Sequence, residues 1–295
     1  MKRHTRRRIT LQAVTACLSN GYLRAFMDGK VFTGPTKGVC VPWLNCYSCP
    51  GAIASCPVGS LQTVLGSRSH GISFYVMGVL VLFGVVLGRL VCGFLCPFGF
   101  IQDLLYRIPL PKIAVPQRVD RVLRHLKYVV AVLLVVALPM LIRAATGQAP
   151  PFFCMFLCPA GTLEGALPLI ITNPQLFSQV GAVFWWKVAV LTLVILSAIC
   201  IQRPFCKYLC PLGAFYGLFN RISMYQMQVN KQTCSSCSHC KGVCPMGLDP
   251  SNDINSPECI RCGNCKAACP TSSIVAGFEL RAREALKQYA ILSTP

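Results

Sequence analysis

Eight cysteines near the end of the chain constrain its fold more than any other feature. Cys234-x2-Cys237-x2-Cys240-x3-Cys244-Pro245 is followed closely by Cys259-x2-Cys262-x2-Cys265-x3-Cys269-Pro270. A run of this spacing wraps three thiolates around one iron–sulfur cubane, and its fourth cysteine ligates the neighbouring cube. The crossed reading assigns Cys234, Cys237, Cys240 and Cys269 to one [4Fe-4S] cluster and Cys259, Cys262, Cys265 and Cys244 to a second. Zinc also accepts Cys-x2-Cys pairs. It accounts neither for the three-cysteine runs nor for the proline after each fourth cysteine.

The rest of the chain has another character. Of its 295 residues 54% are hydrophobic and only 13% charged, against roughly a quarter charged in soluble proteins. Scarce charge gathered between long apolar runs marks a membrane protein, with the lipid bilayer as a partner. The net charge of +19 would suit nucleic acid, but Lys and Arg cluster at the ends of apolar segments, where positive-inside topology puts them. No aromatic residues interleave with a basic groove, so nucleic acid is not an expected partner. Thiolate ligands of this kind need a reducing compartment. Cys17, Cys40 and Cys200 lie outside every motif and read as ordinary thiols.

Residues 1–8 carry five Lys or Arg, and a moderately apolar stretch covers residues 9–27. Its apolar core is too short and too polar for a signal peptide, so it reads as an imperfect membrane or interfacial helix. Residues 72–88, 128–142 and 183–201 read as membrane spans, the last anchored by Trp185 and Trp186. Residues 144–163 are uncharged but broken by Pro150, Pro151 and Pro159, which predicts a re-entrant element rather than a regular crossing. Residues 107–127 hold six Lys or Arg and residues 144–186 none. The first of these loops, the N-terminus and the cysteine-rich C-terminal region are therefore expected on the cytoplasmic side of the cell membrane. Residues 28–70 and 144–186 are expected on the other side.

A short pattern recurs within the membrane region: Cys92-Gly-Phe-Leu-Cys96-Pro-Phe-Gly99, Cys154-Met-Phe-Leu-Cys158-Pro-Ala-Gly161 and Cys206-Lys-Tyr-Leu-Cys210-Pro-Leu-Gly213. Cys56-Pro-Val-Gly59, preceded by Cys46-x2-Cys49-Pro50, is a partial echo. Four-residue spacing brings two sulfurs toward one face of a helical turn, and the proline suits the first position of a following helix. A thiol at that helix start is expected to have a lowered pKa. Each copy offers two ligands and a cubane needs four. Cys92, Cys96, Cys206 and Cys210 are the candidates for a third cluster at the cytoplasmic face. Cys46, Cys49, Cys56, Cys154 and Cys158 are the candidates for a fourth at the outer face, one more than needed. Bracing of helix junctions, or outer disulfides, is the competing reading.

The Cys-x3-Cys-Pro pairs at Cys92–Cys96 and Cys206–Cys210, each after a membrane helix, resemble the membrane ferredoxins of the NapH and MauN type, relatives of the NosR and CcoG (RdxA) proteins. The resemblance covers roughly residues 72–270. It implies electron transfer between a quinone pool and a redox partner protein, or redox service to the maturation of another enzyme. The motif at Cys154 and Cys158 and the segment around Cys46 and Cys49 depart from the simplest pattern. No dinucleotide loop or Walker sequence occurs, no flavin site is seen, and His70 and His125 are expected on opposite faces, too far apart for a shared haem. Asp103 and Glu164 are carboxylates near membrane depth, able to relay protons or simply to pack.

The expected fold is thus a membrane all-α bundle of about four transmembrane helices plus a re-entrant segment (residues 1–222). A C-terminal α+β two-[4Fe-4S] bacterial-ferredoxin-like domain follows (residues 223–275), then a helical tail (residues 276–295, the helix itself over 278–289). The expected activity is that of an electron carrier, with no catalytic residue assigned, acting alone or as a subunit of a quinol dehydrogenase. A thiol–disulfide relay through the outer cysteines and an accessory factor for a separate metalloenzyme are the alternatives.

Overall fold

The computed structural model describes residues 2–67 and 74–278. His70, the first residues of the predicted span 72–88 and most of the predicted terminal helix lie outside them.

The first helix, Lys2–Ser19, is built inside out. Arg8, Gln12, Thr15 and Ser19 recur at helical spacing and are buried, whereas Leu11, Val14 and Leu18 point away from the protein. Gln12 donates to the Gly93 carbonyl at 3.1 Å, and the Ser19 hydroxyl accepts from the Trp43 indole at 2.9 Å. The polar residues that weaken the apolar pattern of residues 9–27 therefore face protein partners. The helix stops at Ser19, and residues 24–28 form a separate short turn of helix, Arg24–Asp28.

Among the described residues, two helices are long and apolar enough to cross a bilayer, Gln117–Thr146 and Ala182–Cys200. The first contains the expected span 128–142 but is one continuous rod of 30 residues. Leu141, Val132, Leu193 and Leu196 are more than half exposed along these rods. Apolar side chains turned outward at this density suit hydrocarbon rather than water. The described part of the predicted span 72–88 is the apolar helix Phe74–Leu87, 14 residues or about 21 Å long.

Between these rods lie short helices that each begin with the proline of a Cys-Pro motif: Pro57–Gly66, Pro97–Leu105 and Pro211–Phe219. Proline lacks the N–H that a first helical turn leaves unpaired and brings the right φ.

The C-terminal domain is held by a two-stranded antiparallel sheet of β1 (Tyr225–Val229) and β2 (Ile274–Phe278), with Met227 opposite Ala276. Met227 and Ile274 are buried between the sheet and the cysteine loops. Because β2 runs through Phe278, residues 276–278 belong to this sheet and not to a helical tail. Strand pairing with Tyr225–Val229 decides their conformation, a long-range contact that local amphipathicity does not report.

Candidate iron–sulfur sites

The two C-terminal loops fold alike. In Cys234-x2-Cys237-x2-Cys240, Ser236 and Ser238 take positive φ, and in Cys259-x2-Cys262-x2-Cys265, Arg261 and Gly263 do so at the same two places. Alternating left-handed residues curl a backbone into a concave loop with its N–H groups turned inward, a ready cradle for an anion. One hollow is lined by Cys234, Cys237, Cys240 and Cys269, and another by Cys244, Cys259, Cys262 and Cys265. Backbone N–H groups of Leu248 and Arg261 donate to the sulfurs of Cys244 and Cys259, both at 3.4 Å. The backbone of His239 and the hydroxyl of Ser235 hold the Cys237 thiol below its ordinary pKa. Each hollow thus presents four thiols with amide donors around them, a donor set that fits a [4Fe-4S] cluster.

The membrane repeats converge as pairs. Cys92, Cys96, Cys206 and Cys210 are all buried, and Gly99 and Gly213 each donate a backbone N–H, at 3.4 Å, to the helix-capping sulfurs of Cys96 and Cys210. Gln102, buried, donates its amide N–H to the Cys206 sulfur at 3.1 Å and accepts from the Phe205 N–H at 3.2 Å. Two arginines cross between the repeats. Arg89, three residues before Cys92, donates to the Cys206 carbonyl at 3.1 Å; Arg203, three residues before Cys206, donates to the Cys92 carbonyl at 2.8 Å. The sequence carries this signal as a shared Arg-x2-Cys-x3-Cys-Pro-x-Gly over residues 89–99 and 203–213, which cysteine spacing alone does not single out.

The expected lowering of the thiol pKa values at these helix starts does not hold. Burial pushes the Cys96 and Cys210 thiols up, and the N–H groups of Gly99 and Leu44 at Cys96, and of Gly213 at Cys210, offset only part of it. Desolvation of a charged sulfur outweighs a few partial charges. Free thiols here are neutral, and a bound metal supplies the charge that deprotonates a coordinating thiol.

The second set of membrane cysteines is only partly brought together. Cys46, Cys56, Cys154 and Cys158 line one cavity of about 390 Å³, and Cys49 does not. Cys49 is buried beneath the loop instead, its carbonyl accepting from Lys37 at 3.5 Å. The two sets also lie near one another. The backbone N–H of Leu44 faces the Cys96 sulfur, and that of the next residue, Asn45, faces the Cys56 sulfur. Adjacent peptide groups put those sulfurs within about 10 Å of each other, not across a ~30 Å layer. The loop carrying Asn45 and Ala52, both fully buried, folds into the bundle rather than over its outer surface. Among the described residues, no three His, Cys, Asp or Glu side chains are arranged to hold a single metal ion.

The C-terminal domain docks directly on the first membrane site. A Cβ on Gly93, between Cys92 and Cys96, would collide with the Ile260 carbonyl oxygen. Only glycine permits so close an approach. Glu258, beside the Cys259 loop, pairs with Arg89 at 3.2 Å and with Lys127, and both cations are fully buried. Arg261 donates to the carbonyls of Leu87, Tyr225 and Asn220, tying the same loop to the end of helix Phe74–Leu87.

The two flagged carboxylates differ. Asp103 accepts from Arg203 at 2.8 and 2.6 Å and from Arg8 at 3.1 Å. Such a doubly paired carboxylate braces the helices rather than relaying a proton. Burial pushes its pKa up, but Arg203 and Arg8 outweigh that and hold it below the usual carboxylate range. Glu164 accepts from the Cys46 backbone N–H at 2.8 Å, so it lies against the second set.

These arrangements define a protein class. A family profile described as a 4Fe-4S binding domain matches residues 69–116 and 182–224, the segments that carry Cys92, Cys96, Cys206 and Cys210. Relatives agree. An uncharacterized protein of Methanocaldococcus jannaschii is 28% identical over 199 residues, 65% of this chain and 74% of that protein. The methylamine utilization ferredoxin-type protein MauN of Methylorubrum extorquens is 28% identical over 229 residues, 73% of this chain and 70% of MauN. The ferredoxin-type protein NapH of Haemophilus influenzae is 25% identical over 169 residues, 57% of this chain and 51% of NapH. The chain is similar to ferredoxin-type proteins of the NapH and MauN kind. No solved structure matches it.

Proposed function

We propose that this chain is a membrane-anchored iron–sulfur carrier that passes electrons between a cytoplasmic redox partner and an acceptor or donor in the bilayer, such as a quinone. The observation that carries this reading is the contact of the Cys259 loop with the Cys92–Cys96 segment at Gly93. It sets the ligand groups of two centres side by side with no intervening layer of protein. When bound, [4Fe-4S] clusters supply one-electron redox chemistry whose potential follows burial, net charge and hydrogen bonds to sulfur.

The protein residues have distinct tasks in this reading. The crossed loops hold two clusters through Cys234, Cys237, Cys240 and Cys269, and through Cys259, Cys262, Cys265 and Cys244. Cys92, Cys96, Cys206 and Cys210 hold a third. Arg89 and Arg203 place buried positive charge beside this third site, which favours the anionic tetrathiolate group. Glu258 and Asp103 neutralise those cations from outside, and Gln102 aims Cys206. The helix Lys2–Ser19, with its apolar side outward, joins Phe74–Leu87 and the two long apolar helices as the membrane anchor.

The test is iron and acid-labile sulfide per chain after anaerobic purification in detergent, for the wild type and for Cys206→Ser/Cys210→Ser. Loss of about four irons in the variant, with the remaining clusters still reducible, is expected. Unchanged iron would leave the membrane cysteines as thiols, and a mixed disulfide trapped on them would favour a thiol relay instead.

A further inference from the structure

We infer that Cys46, Cys56, Cys154 and Cys158 form a further [4Fe-4S] site, next to the one at Cys92, Cys96, Cys206 and Cys210, and that Cys49 is not a ligand. The inference rests on reading the chain as an iron–sulfur carrier and extends it by one centre. Neither matched segment of the 4Fe-4S binding profile contains any of these four residues.

A strap recurs at the two sites. Cys96-Pro-Phe-Gly-x2-Gln102 and Cys56-Pro-Val-Gly-x2-Gln62 share one pattern, and the structure uses it the same way twice. Gln62 donates its amide N–H to the Cys154 sulfur at 3.3 Å and accepts from the Phe153 N–H at 2.9 Å. Its amide nitrogen also reaches the Val58 carbonyl at 3.3 Å, as that of Gln102 reaches the Phe98 carbonyl at 3.3 Å. Both glutamines are buried. Cys56 therefore corresponds to Cys96, Cys154 to Cys206 and Cys158 to Cys210. The place of Cys92 is taken by Cys46 from a loop. Its sulfur lies 3.5 Å from a Cβ position on Gly165 and 3.8 Å from one on Gly161, against the Cys158-Pro-x-Gly turn.

The surroundings suit an anionic group. Lys187, from helix Ala182–Cys200, lines the cavity beside Cys154. A lysine in an apolar helix stays where a negative partner compensates its burial. The Glu164 carboxylate is fastened to the Cys46 backbone and sets that ligand loop rather than serving as a ligand. The Asp103 analogue is missing here, so the two sites differ in charge while sharing their ligand frame.

The experiment uses the full chain, purified anaerobically and treated with a small maleimide before and after iron is removed by a chelator. Cys46 and Cys154 are only half-buried in the protein fold, and Cys17 is exposed. Cys17, outside every proposed ligand set, should react at the same rate in both states. Cys46 and Cys154 should react at least tenfold faster after iron removal. Equal rates before and after would overturn the inference. As a second arm, Cys154→Ser/Cys158→Ser should lose about four irons and Cys49→Ser none. Loss in Cys206→Ser/Cys210→Ser but not in Cys154→Ser/Cys158→Ser would reject this site and leave the proposed function standing. Loss in neither would reject this site and the third cluster at Cys92, Cys96, Cys206 and Cys210 alike.

Discussion

Glu258 stands 3.2 Å from Arg89 and clasps Lys127 as well, so one carboxylate of the C-terminal domain is shared by two fully buried basic side chains of the membrane domain. This ion triad ties the two-loop domain to the membrane domain beside the apolar and backbone contacts around it. Burial pushes the Glu258 pKa up, and Arg89 and Lys127 more than reverse it.

Removing that carboxylate leaves Arg89 and Lys127 buried without their shared carboxylate partner. Glu258→Gln is expected to destabilise the docked state by about 3–5 kcal/mol. Limited proteolysis checks this: the C-terminal domain should become cleavable from the membrane domain near residue 224 at protease levels that leave the wild type intact. Undiminished resistance would assign the docking to the apolar and backbone contacts.

Gly93 is the steric counterpart. Gly93→Ala forces its Cβ against the Ile260 carbonyl oxygen, and separating the two segments costs about 1–3 kcal/mol. The expected outcome is slower reduction of the membrane centres by a soluble donor, with the C-terminal centres reduced at the normal rate. Equal rates throughout would mean that electrons do not pass at this contact.

The straps should tune potentials. Gln102→Leu deletes an N–H donor to the Cys206 sulfur while keeping every ligand. Iron content should hold, and one reduction potential should fall by on the order of 40 mV, the equivalent of one hydrogen bond of about 1 kcal/mol. Redox titration followed by electron paramagnetic resonance reads this. A positive shift, or loss of iron, would make Gln102 a folding element only.

Acid sensitivity follows from the carboxylates. Asp103 is held below its ordinary value of about 4, so the unfolded chain binds its proton more readily than the folded one. Its contribution to stability is complete above about pH 4 and is lost as pH falls through the depressed folded value. Asp103→Asn should therefore be less stable at neutral pH and should lose less on further acidification. Trp43, hydrogen-bonded to Ser19 of the first helix, is the fluorescent reporter. Parallel acid curves for the two proteins would show that Asp103 does not set the acid sensitivity.

Much of the site was legible because its chemistry is local. Ligand spacing, the proline that opens each helix and the left-handed residues of the C-terminal loops all act within a few residues, so Cys234 to Cys269 could be named from spacing alone. The inverted first helix was not legible. Gln12 and Thr15 look like defects in an apolar run until their buried partners are known. The boundary at residue 276 failed for the same reason, since Phe278 is placed by pairing with Tyr225.

The sequence by itself determined where the cysteine runs lie, how many cysteines each run carries and where the apolar rods are. Only the tertiary structure decided which of Cys46 and Cys49 faces Cys154, that Arg89 and Arg203 exchange repeats, and that the two membrane sets are neighbours. Those choices depend on how a loop folds into a bundle and which buried charges find partners. Contacts between residues a hundred positions apart obey no spacing rule, and burial makes each of them costly to leave unsatisfied.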